Sequence, residues 1–208
     1  MSVIPPPDVI VGDDGHPRCR WGAADADPLY RAYHDNEWGR PLRDEVPLFE
    51  LLCLEAFQSG LSWITILRKR EAFRRAFDAF DPKAVAAYEE PDVSRLLADE
   101  SIIRNRSKIE ATITNAQAVE TLHAEGTTLV EAVFAHTPPR SRRPKTFADI
   151  PSKTDESKAL SKSLRDKGFK FVGPTVAYAL MQSAGVVDDH VEGCWIDISE
   201  PRPDPPSG

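Results

Sequence analysis

The stretch that decides the fold is residues 164–185, LRDKGFKFVGPTVAYALMQSAG. A helical pattern ends at Gly168, and glycine suits the left-handed backbone position that follows many helices. After a short turn, Gly173 permits the close approach of another backbone, and Pro174 suits the first turn of a new helix. The segment therefore predicts two helices joined by a tight turn.

This arrangement is the layout of a helix-hairpin-helix DNA-binding element, because the free N–H groups at the start of the second helix can hold a phosphate. Arg165, Lys167 and Lys170 favour DNA over a plain helical hairpin without a ligand. Residues 140–175 contain ten basic and four acidic residues, although the whole chain has a net charge of −7. Such a basic patch can hold phosphates, but on composition alone ordinary solvated lysines and arginines are the stronger interpretation.

Helical patterns dominate the rest of the chain, and we predict an all-α fold. The length of 208 residues and the hydrophobic content of 41% suit one domain with a substantial core. Helices are predicted near residues 27–36, 45–59, 62–77, 82–88, 91–99, 103–122, 127–135, 156–167 and 174–184. The one β-compatible stretch, 128–134, is equally helical.

The two ends of the chain are rich in proline, glycine and aspartate, which predicts a flexible N-terminal tail at 1–17 and a flexible C-terminal tail at 199–208. The domain then covers residues 18–198. No apolar run is long enough to span a bilayer, and the N-terminus lacks the pattern of a secretory signal. These features predict a cytoplasmic protein.

A carboxylate lies on an apolar helix face within residues 45–59. Leu48, Leu51 and Ala56 share one face, and Glu55 falls on it, whereas Glu50 points the other way, where solvent is expected. A carboxylate on an apolar face is costly without a partner. Glu55 therefore indicates a group aimed into a pocket, and a buried salt bridge or cap is the alternative.

Aromatic residues are concentrated in the same third of the chain as Glu55. Their planar faces and polar edges suit stacking around a nucleobase, although filling the core is the more common use of scattered aromatic side chains. The residues are Trp21, Tyr30, Tyr33, Trp38 and Trp63.

The cysteines and histidines indicate a metal site. Three cysteines with wide spacing are a poor disulfide framework in a reducing compartment. Cys19 and His34 lie early, and His190 and Cys194 lie late, and two cysteines with two histidines form a closed tetrahedral zinc set of the structural kind. Ordinary hydrogen-bonded histidines are the alternative. Cys53, within an apolar helix, is interpreted as a core residue.

Several strings, in order, resemble the DNA-3-methyladenine glycosylase I family. They are C-x-W, DPLYxAYHDNEWG, LFExxCLExxQxGLSWxTILxKR, IIRNRxKIxAxIxNA, ALSKxLxxxGFKFVGPT and DHxxGC, from about Cys19 to Cys194. The resemblance implies a helix-hairpin-helix glycosylase fold in which a structural Zn²⁺ joins the N- and C-terminal segments. It also implies a monomeric, monofunctional enzyme that needs no nucleotide cofactor. Such an enzyme releases 3-methyladenine from double-stranded DNA and leaves an abasic site.

The resemblance also assigns roles by position. The zinc ligands are Cys19, His34, His190 and Cys194. The base pocket is lined by Trp21, Tyr30, Tyr33 and Trp63, and Glu55 reads the base. The hairpin grips the DNA backbone through Gly168, Lys170 and Gly173. Gly60 and Leu61 form the tip that enters the gap left by the flipped nucleotide.

The chain departs from the family pattern in two places. The segment between Trp21 and Tyr30 is about two residues longer than usual. The family reads Asn-Asp-His before the late zinc ligand, where this chain has Asp188, Asp189 and His190. Related glycosylases carry a catalytic aspartate near this place, so Asp188 is a candidate carboxylate close to the deoxyribose, and a solvated loop aspartate is the preferred alternative.

Three rival functions stay open. A non-catalytic binder of damaged DNA would use the same hairpin, but a buried Glu55 beside aromatic residues argues against it. A zinc hydrolase needs an open metal position, which four protein ligands do not leave. A broader glycosylase would also take 7-methylguanine or hypoxanthine, although an acceptor carboxylate fits the amine of adenine better than O6 of guanine.

Overall fold

A computed structural model of the chain describes residues 8–23, 27–139, 142–199 and 202. Over this part of the chain there are nine α-helices, and each lies at one of the nine predicted places with ends that agree within three residues. They are α1 (Pro28–Asn36), α2 (Glu45–Gln58), α3 (Trp63–Ala76), α4 (Pro82–Ala86), α5 (Glu90–Ala98), α6 (Arg106–Ala124), α7 (Leu129–Phe134), α8 (Asp155–Asp166) and α9 (Pro174–Ser183). The mostly helical fold is confirmed.

Helices α8 and α9 pack against each other and enclose the tight turn expected from the sequence. The hydroxyl of Thr154 caps the start of α8 by accepting a hydrogen bond from the N–H of Ser157. Gly168, with φ of +96°, ends the helical path, and Pro174 begins α9. Between them Phe171 has φ of +55°, a conformation that costs a bulky residue about 1 kcal/mol or more.

Helix α2 lies at the centre of the core. Residues 48–57 are all buried, so no face of this part of the helix meets solvent. Phe57 contacts Phe73 of α3 with ring centroids 4.7 Å apart, and Phe77 stacks on Phe80 at 5.5 Å. Contacts with α3, α6, α7 and α9 surround it. Side chains on α2 are therefore held by neighbours on every side.

The prediction that Glu50 faces solvent is wrong. Glu50 is 5% exposed, and its carboxylate accepts hydrogen bonds from Arg70 Nε at 2.5 Å and Arg74 Nε at 2.8 Å. Arg70 also binds Glu37. The buried ion pair that the sequence analysis considered for Glu55 is instead made by Glu50, because α3 packs on that side of α2.

Two short strands, neither of them predicted from the sequence, precede the helices. Val9–Val11 pairs antiparallel with Pro17–Cys19. The first strand and Pro17 of the second lie in the segment 1–17 that is predicted as the N-terminal tail, of which residues 1–7 are outside the described residues. Three-residue strands are too short for an alternating pattern to be recognised. The second strand leads directly into Cys19, so the pairing helps to position that side chain.

Two residues of the predicted C-terminal tail, Ser199 and Arg202, contact the domain, and Ser199 does so by donating hydrogen bonds to Asp197. Arg202 donates hydrogen bonds to the carbonyl oxygens of Ser183 at 2.7 Å and Arg40 at 3.2 Å. The rest of that prediction, at residues 200–201 and 203–208, lies outside the described residues. Among the helices that the structure describes, none is long and apolar enough to cross a membrane.

Candidate active site and metal centre

A cavity of about 240 Å³ opens between α1, α2, the start of α3 and α9. Its size is below the roughly 300–1,000 Å³ of pockets that hold drug-sized molecules, so it suits a single planar ring system. All five residues predicted for the pocket line it, together with four others. The lining residues are Trp21, Tyr30, Tyr33, Trp38, Glu55, Gln58, Trp63, Ala179 and Gln182.

The aromatic side chains form adjoining walls. Trp21 meets Tyr30 and Trp38 edge to face, with ring centroids 5.6 Å and 5.1 Å apart. The rings of Tyr33 and Trp63 are 5.4 Å apart and tilted by 49°. A base held between two rings needs them about 7 Å apart, twice the stacking distance. Tyr33 and Trp63 therefore do not form a sandwich in this structure, and they line adjoining parts of the cavity wall.

Glu55 brings a buried carboxylate to this cavity. It is 5% exposed, and Ser183 Oγ donates a hydrogen bond to its Oε1 at 2.8 Å. No lysine or arginine of the described residues forms an ion pair with it. Burial raises the pKa of Glu55 to about 7, and the hydrogen bond from Ser183 opposes that rise. The site thus presents an acceptor whose charge lacks a counter-ion.

Helix α9 supplies a polar group that was not predicted from the sequence. Gln182 lines the cavity, and its Nε2 donates a hydrogen bond to Asp189 Oδ2 at 2.7 Å. Tyr178 donates to the same oxygen at 2.6 Å. These bonds fix the amide of Gln182. Gln182 follows several apolar residues on α9 without a motif of its own, so its packing against α2 was the missing information.

The four predicted metal ligands come together in a buried cluster. The donor atoms of Cys19, His34, His190 and Cys194 all lie within 4.8 Å of one another. Cys194 Sγ is 3.5 Å from His34 Nε2 and 3.6 Å from His190 Nδ1, and Cys19 Sγ is 3.6 Å from His190 Nδ1. The composition and geometry of the cluster are compatible with a metal site. Cys53 is buried within α2, as expected of a core residue.

The outer nitrogens of both histidines have partners. His34 Nδ1 lies 2.8 Å from a carboxylate oxygen of Asp35, and His190 Nε2 lies 3.1 Å from the carbonyl oxygen of Trp38. If each outer nitrogen carries the proton, His34 Nε2 and His190 Nδ1 are free to ligate a metal. Partners of this kind fix the orientation of ligating histidines. Because Trp38 also lines the cavity, the cluster is joined to the pocket wall.

Asp188 has a different environment from either alternative in the sequence analysis. Its carboxylate accepts a hydrogen bond from Arg143 Nε at 2.8 Å. Arg143 also donates to the carbonyl oxygens of Cys194 at 2.9 Å and Ile196 at 2.6 Å. Asp188 is not among the residues lining the cavity. This ion pair fastens the segment that carries Cys194.

Two exposed loops lie outside the pocket. The first loop follows the end of α2 at the cavity residue Gln58. Two residues later it contains Gly60, with φ of +86°, and then Leu61, which is 40% exposed. At the turn between α8 and α9, Lys170, Phe171 and other residues border a surface depression of about 700 Å³. Lys162, Arg165 and Gly173 share this border. The predicted tip and hairpin residues are therefore on loops, separate from the pocket lining.

Comparison with known proteins places this helical domain, with its buried carboxylate and aromatic pocket, in the class of N-glycosylases that act in DNA repair. A family model for methyladenine glycosylases matches residues 21–197, and the chain belongs to this family. DNA-3-methyladenine glycosylase 1 of Escherichia coli K12 is 51% identical over 179 residues, which are 85% of this chain and 95% of the relative.

Solved structures agree with this assignment. A crystal structure of 3-methyladenine DNA glycosylase I is 47% identical, with a TM-score of 0.82, and the match covers 86% of this chain and 98% of that one. A Staphylococcus aureus structure, described as the structural basis of 3-methyladenine recognition, is 37% identical with a TM-score of 0.77. The match covers 81% of this chain and 91% of the chain in that structure. Fold and family are thus supported by both sequence and structure.

Proposed function

We propose that this protein removes 3-methyladenine from alkylated double-stranded DNA by hydrolysing the N-glycosidic bond, which leaves an abasic site for base-excision repair. The observation that carries the proposal is the buried carboxylate of Glu55, without a counter-ion, in an aromatic pocket of about 240 Å³. Methylation at N3 makes adenine in DNA cationic. The carboxylate complements that charge, which an unmodified base lacks.

The pocket assigns separate tasks to its residues. Extrusion of the nucleotide costs a few kcal/mol of unstacking, and the face of Trp63, with Tyr33, Trp21 and Tyr30 around it, replaces the lost stacking. Glu55 accepts a hydrogen bond from the exocyclic amine of adenine. Guanine presents the acceptor O6 at that position, so the carboxylate disfavours 7-methylguanine. A positively charged base is already a good leaving group, and strong acid catalysis is unnecessary.

The Cys/His cluster is proposed to hold one structural Zn²⁺. Tetrahedral zinc with Zn–S near 2.3 Å and Zn–N near 2.05 Å places sulfur and nitrogen ligands about 3.6 Å apart. Three of the four sulfur–nitrogen distances in the cluster are 3.5–3.6 Å and fit this value. Four protein ligands leave no position for water. A structural ion of this kind joins the second strand and α1 to the segment after α9 and does not take part in hydrolysis.

The exposed loops are proposed to engage the DNA. The α8–α9 unit acts as a helix-hairpin-helix element in which the backbone around Gly168 and Gly173 approaches phosphates and Lys170 supplies positive charge. Leu61, presented by the turn at Gly60, fills the space of the extruded nucleotide. We expect the protein to act as a monomer without a nucleotide cofactor.

Release of free base from methylated duplex DNA tests the proposed function. The native protein is expected to release 3-methyladenine, identified by chromatography, whereas unmethylated DNA of the same sequence yields no base. Treatment with borohydride is expected to trap no covalent adduct, because water and not an enzyme amine attacks the sugar carbon, so no Schiff base forms between protein and DNA. DNA binding without release of any base would contradict the enzyme and support a damage binder, and release of 7-methylguanine at a comparable rate would contradict the selectivity.

The pKa of Glu55 predicts the pH dependence of the reaction. The ionised carboxylate complements the cationic base, so kcat/KM should increase about tenfold per pH unit below pH 7 and level off above it. Loss of the hydrogen bond in Ser183→Ala removes an interaction that lowers this pKa, so its profile should move to higher pH. Rates measured between about pH 5.5 and about pH 8.5 check both expectations. A profile that is flat, or identical in the two proteins, would contradict them.

A further inference from the structure

One helix, α6, contacts the backbones of both exposed loops through two buried polar side chains. We propose that Lys108 and Asn115 are positioning residues that hold the tip (residues 59–61) and the hairpin turn (residues 168–173) at the spacing that duplex DNA requires. The inference rests on the proposed function. It concerns how the DNA is engaged, which is separate from how the base is read.

Lys108 holds the base of the tip. It is 9% exposed, and its Nζ donates hydrogen bonds to the carbonyl oxygens of Phe57 at 2.7 Å and Ser59 at 2.9 Å. These carbonyls lie at the end of α2, where helical carbonyls lack backbone partners and a positive charge is favourable. Because Gly60 turns directly after this clamp, the ammonium fixes the backbone from which Leu61 projects.

Asn115 holds the hairpin turn. It is 1% exposed, its Nδ2 donates to the carbonyl oxygen of Lys170 at 3.2 Å, and its Oδ1 accepts from the N–H of Lys170 at 2.7 Å. Both backbone groups of one turn residue are thus bound by a single side chain. The next residue, Phe171, has a positive φ and is 44% exposed. Ser161 Oγ donates to the carbonyl oxygen of Val172 at 2.6 Å on the far side. The strained turn is therefore held at both ends.

The two side chains lie on the same side of one rigid element. Seven residues separate them, nearly two helical turns, so they share a face about 10 Å apart along the axis. Neither residue lines the pocket. A tip that enters the base stack and a turn that grips phosphates must match a spacing set by the DNA, and misplacement of about 1 Å can weaken catalysis strongly. The geometry therefore assigns α6 the role of a spacer between them.

The test uses Lys108→Met, which keeps most of the aliphatic stem, and Asn115→Leu, which keeps the size. Each variant is expected to bind duplex DNA containing an abasic site about tenfold more weakly and to lose about tenfold in kcat/KM for base release. The affinity for free 3-methyladenine, followed by tryptophan fluorescence, should change less than about twofold because the pocket is untouched. Lys69→Met is the matched control, because Lys69 clamps the carbonyls of Glu100 and Ser101 in another loop.

The possible outcomes distinguish failure of the positioning role from failure of the proposed function. Variants that bind DNA and release base as well as the native protein would overturn the positioning role. Equal losses in free-base and DNA affinity would also overturn it, since they would indicate damage to the whole domain. If the native protein releases no 3-methyladenine, the proposed function fails, and DNA affinity alone then decides the role of α6.

Discussion

Replacing Glu55 by glutamine is expected to lower kcat/KM for release of 3-methyladenine by about 10- to 100-fold, because a charge-assisted hydrogen bond contributes about 1.5–3 kcal/mol. Glutamine keeps the size of the side chain and can still accept a hydrogen bond from Ser183. It removes the negative charge, and among the described pocket residues Glu55 is the one carboxylate. In the variant, the cationic base moves from water into a pocket that provides no negative charge.

The loss should not come from unfolding. Burial raises the folded-state pKa of Glu55 from 4.5 to about 7, so the stability that the protonated form provides is lost as pH rises through this interval. A neutral glutamine avoids that loss, and the thermal midpoint of Glu55→Gln near pH 8 should equal or exceed the native one. Glu71→Gln, at a carboxylate that is 70% exposed, is the matched control and should leave base release unchanged. Undiminished excision by Glu55→Gln would remove Glu55 from recognition.

Hydrophobic periodicity was sufficient to locate the helices but not to orient every residue on them. The pattern on α2 predicts one apolar and one solvent-facing side, yet Glu50 is buried on the side that was predicted to face solvent. The reason lies 20 and 24 residues further along, where Arg70 and Arg74 of α3 neutralise the carboxylate. Ion pairs between helices depend on packing, which a local pattern does not contain.

The pocket was predictable where residue types are unusual and not where they are ordinary. Glu55 and the clustered aromatic residues stand out by their chemistry, and the family strings assign them a shared site. Gln182 and Ser183 carry no such signal, because their role arises when α9 packs on α2 across more than a hundred residues of sequence. Similarly, the backbone carbonyl of Trp38 beside His190 is invisible to a search for side-chain motifs.

Removal of the metal is expected to have the largest effect on stability. Loss of a structural zinc site should destabilise the domain by at least about 3 kcal/mol, which lowers the thermal midpoint by roughly 6–12 °C for a chain of this size. Without the ion, four buried polar side chains lie close together with no metal to bind them: the thiols of Cys19 and Cys194 and the two imidazoles. The apolar residues nearest to them form a cluster separate from the main core. The helices should therefore persist at 25 °C while the joined ends loosen.

Cys194→Ala and chelation of the native protein provide two routes to the same state. Mass spectrometry of the native protein should find one zinc per chain, and the variant should contain none. Cys53→Ala is the matched control, because Cys53 is also buried but lies in α2 among apolar neighbours. It should lower the midpoint slightly and retain the metal. Base release should fall with the loss of zinc, since Trp38 connects His190 to the pocket wall. An unchanged midpoint with the metal fully removed would contradict the structural role, and native protein without zinc would contradict the metal assignment.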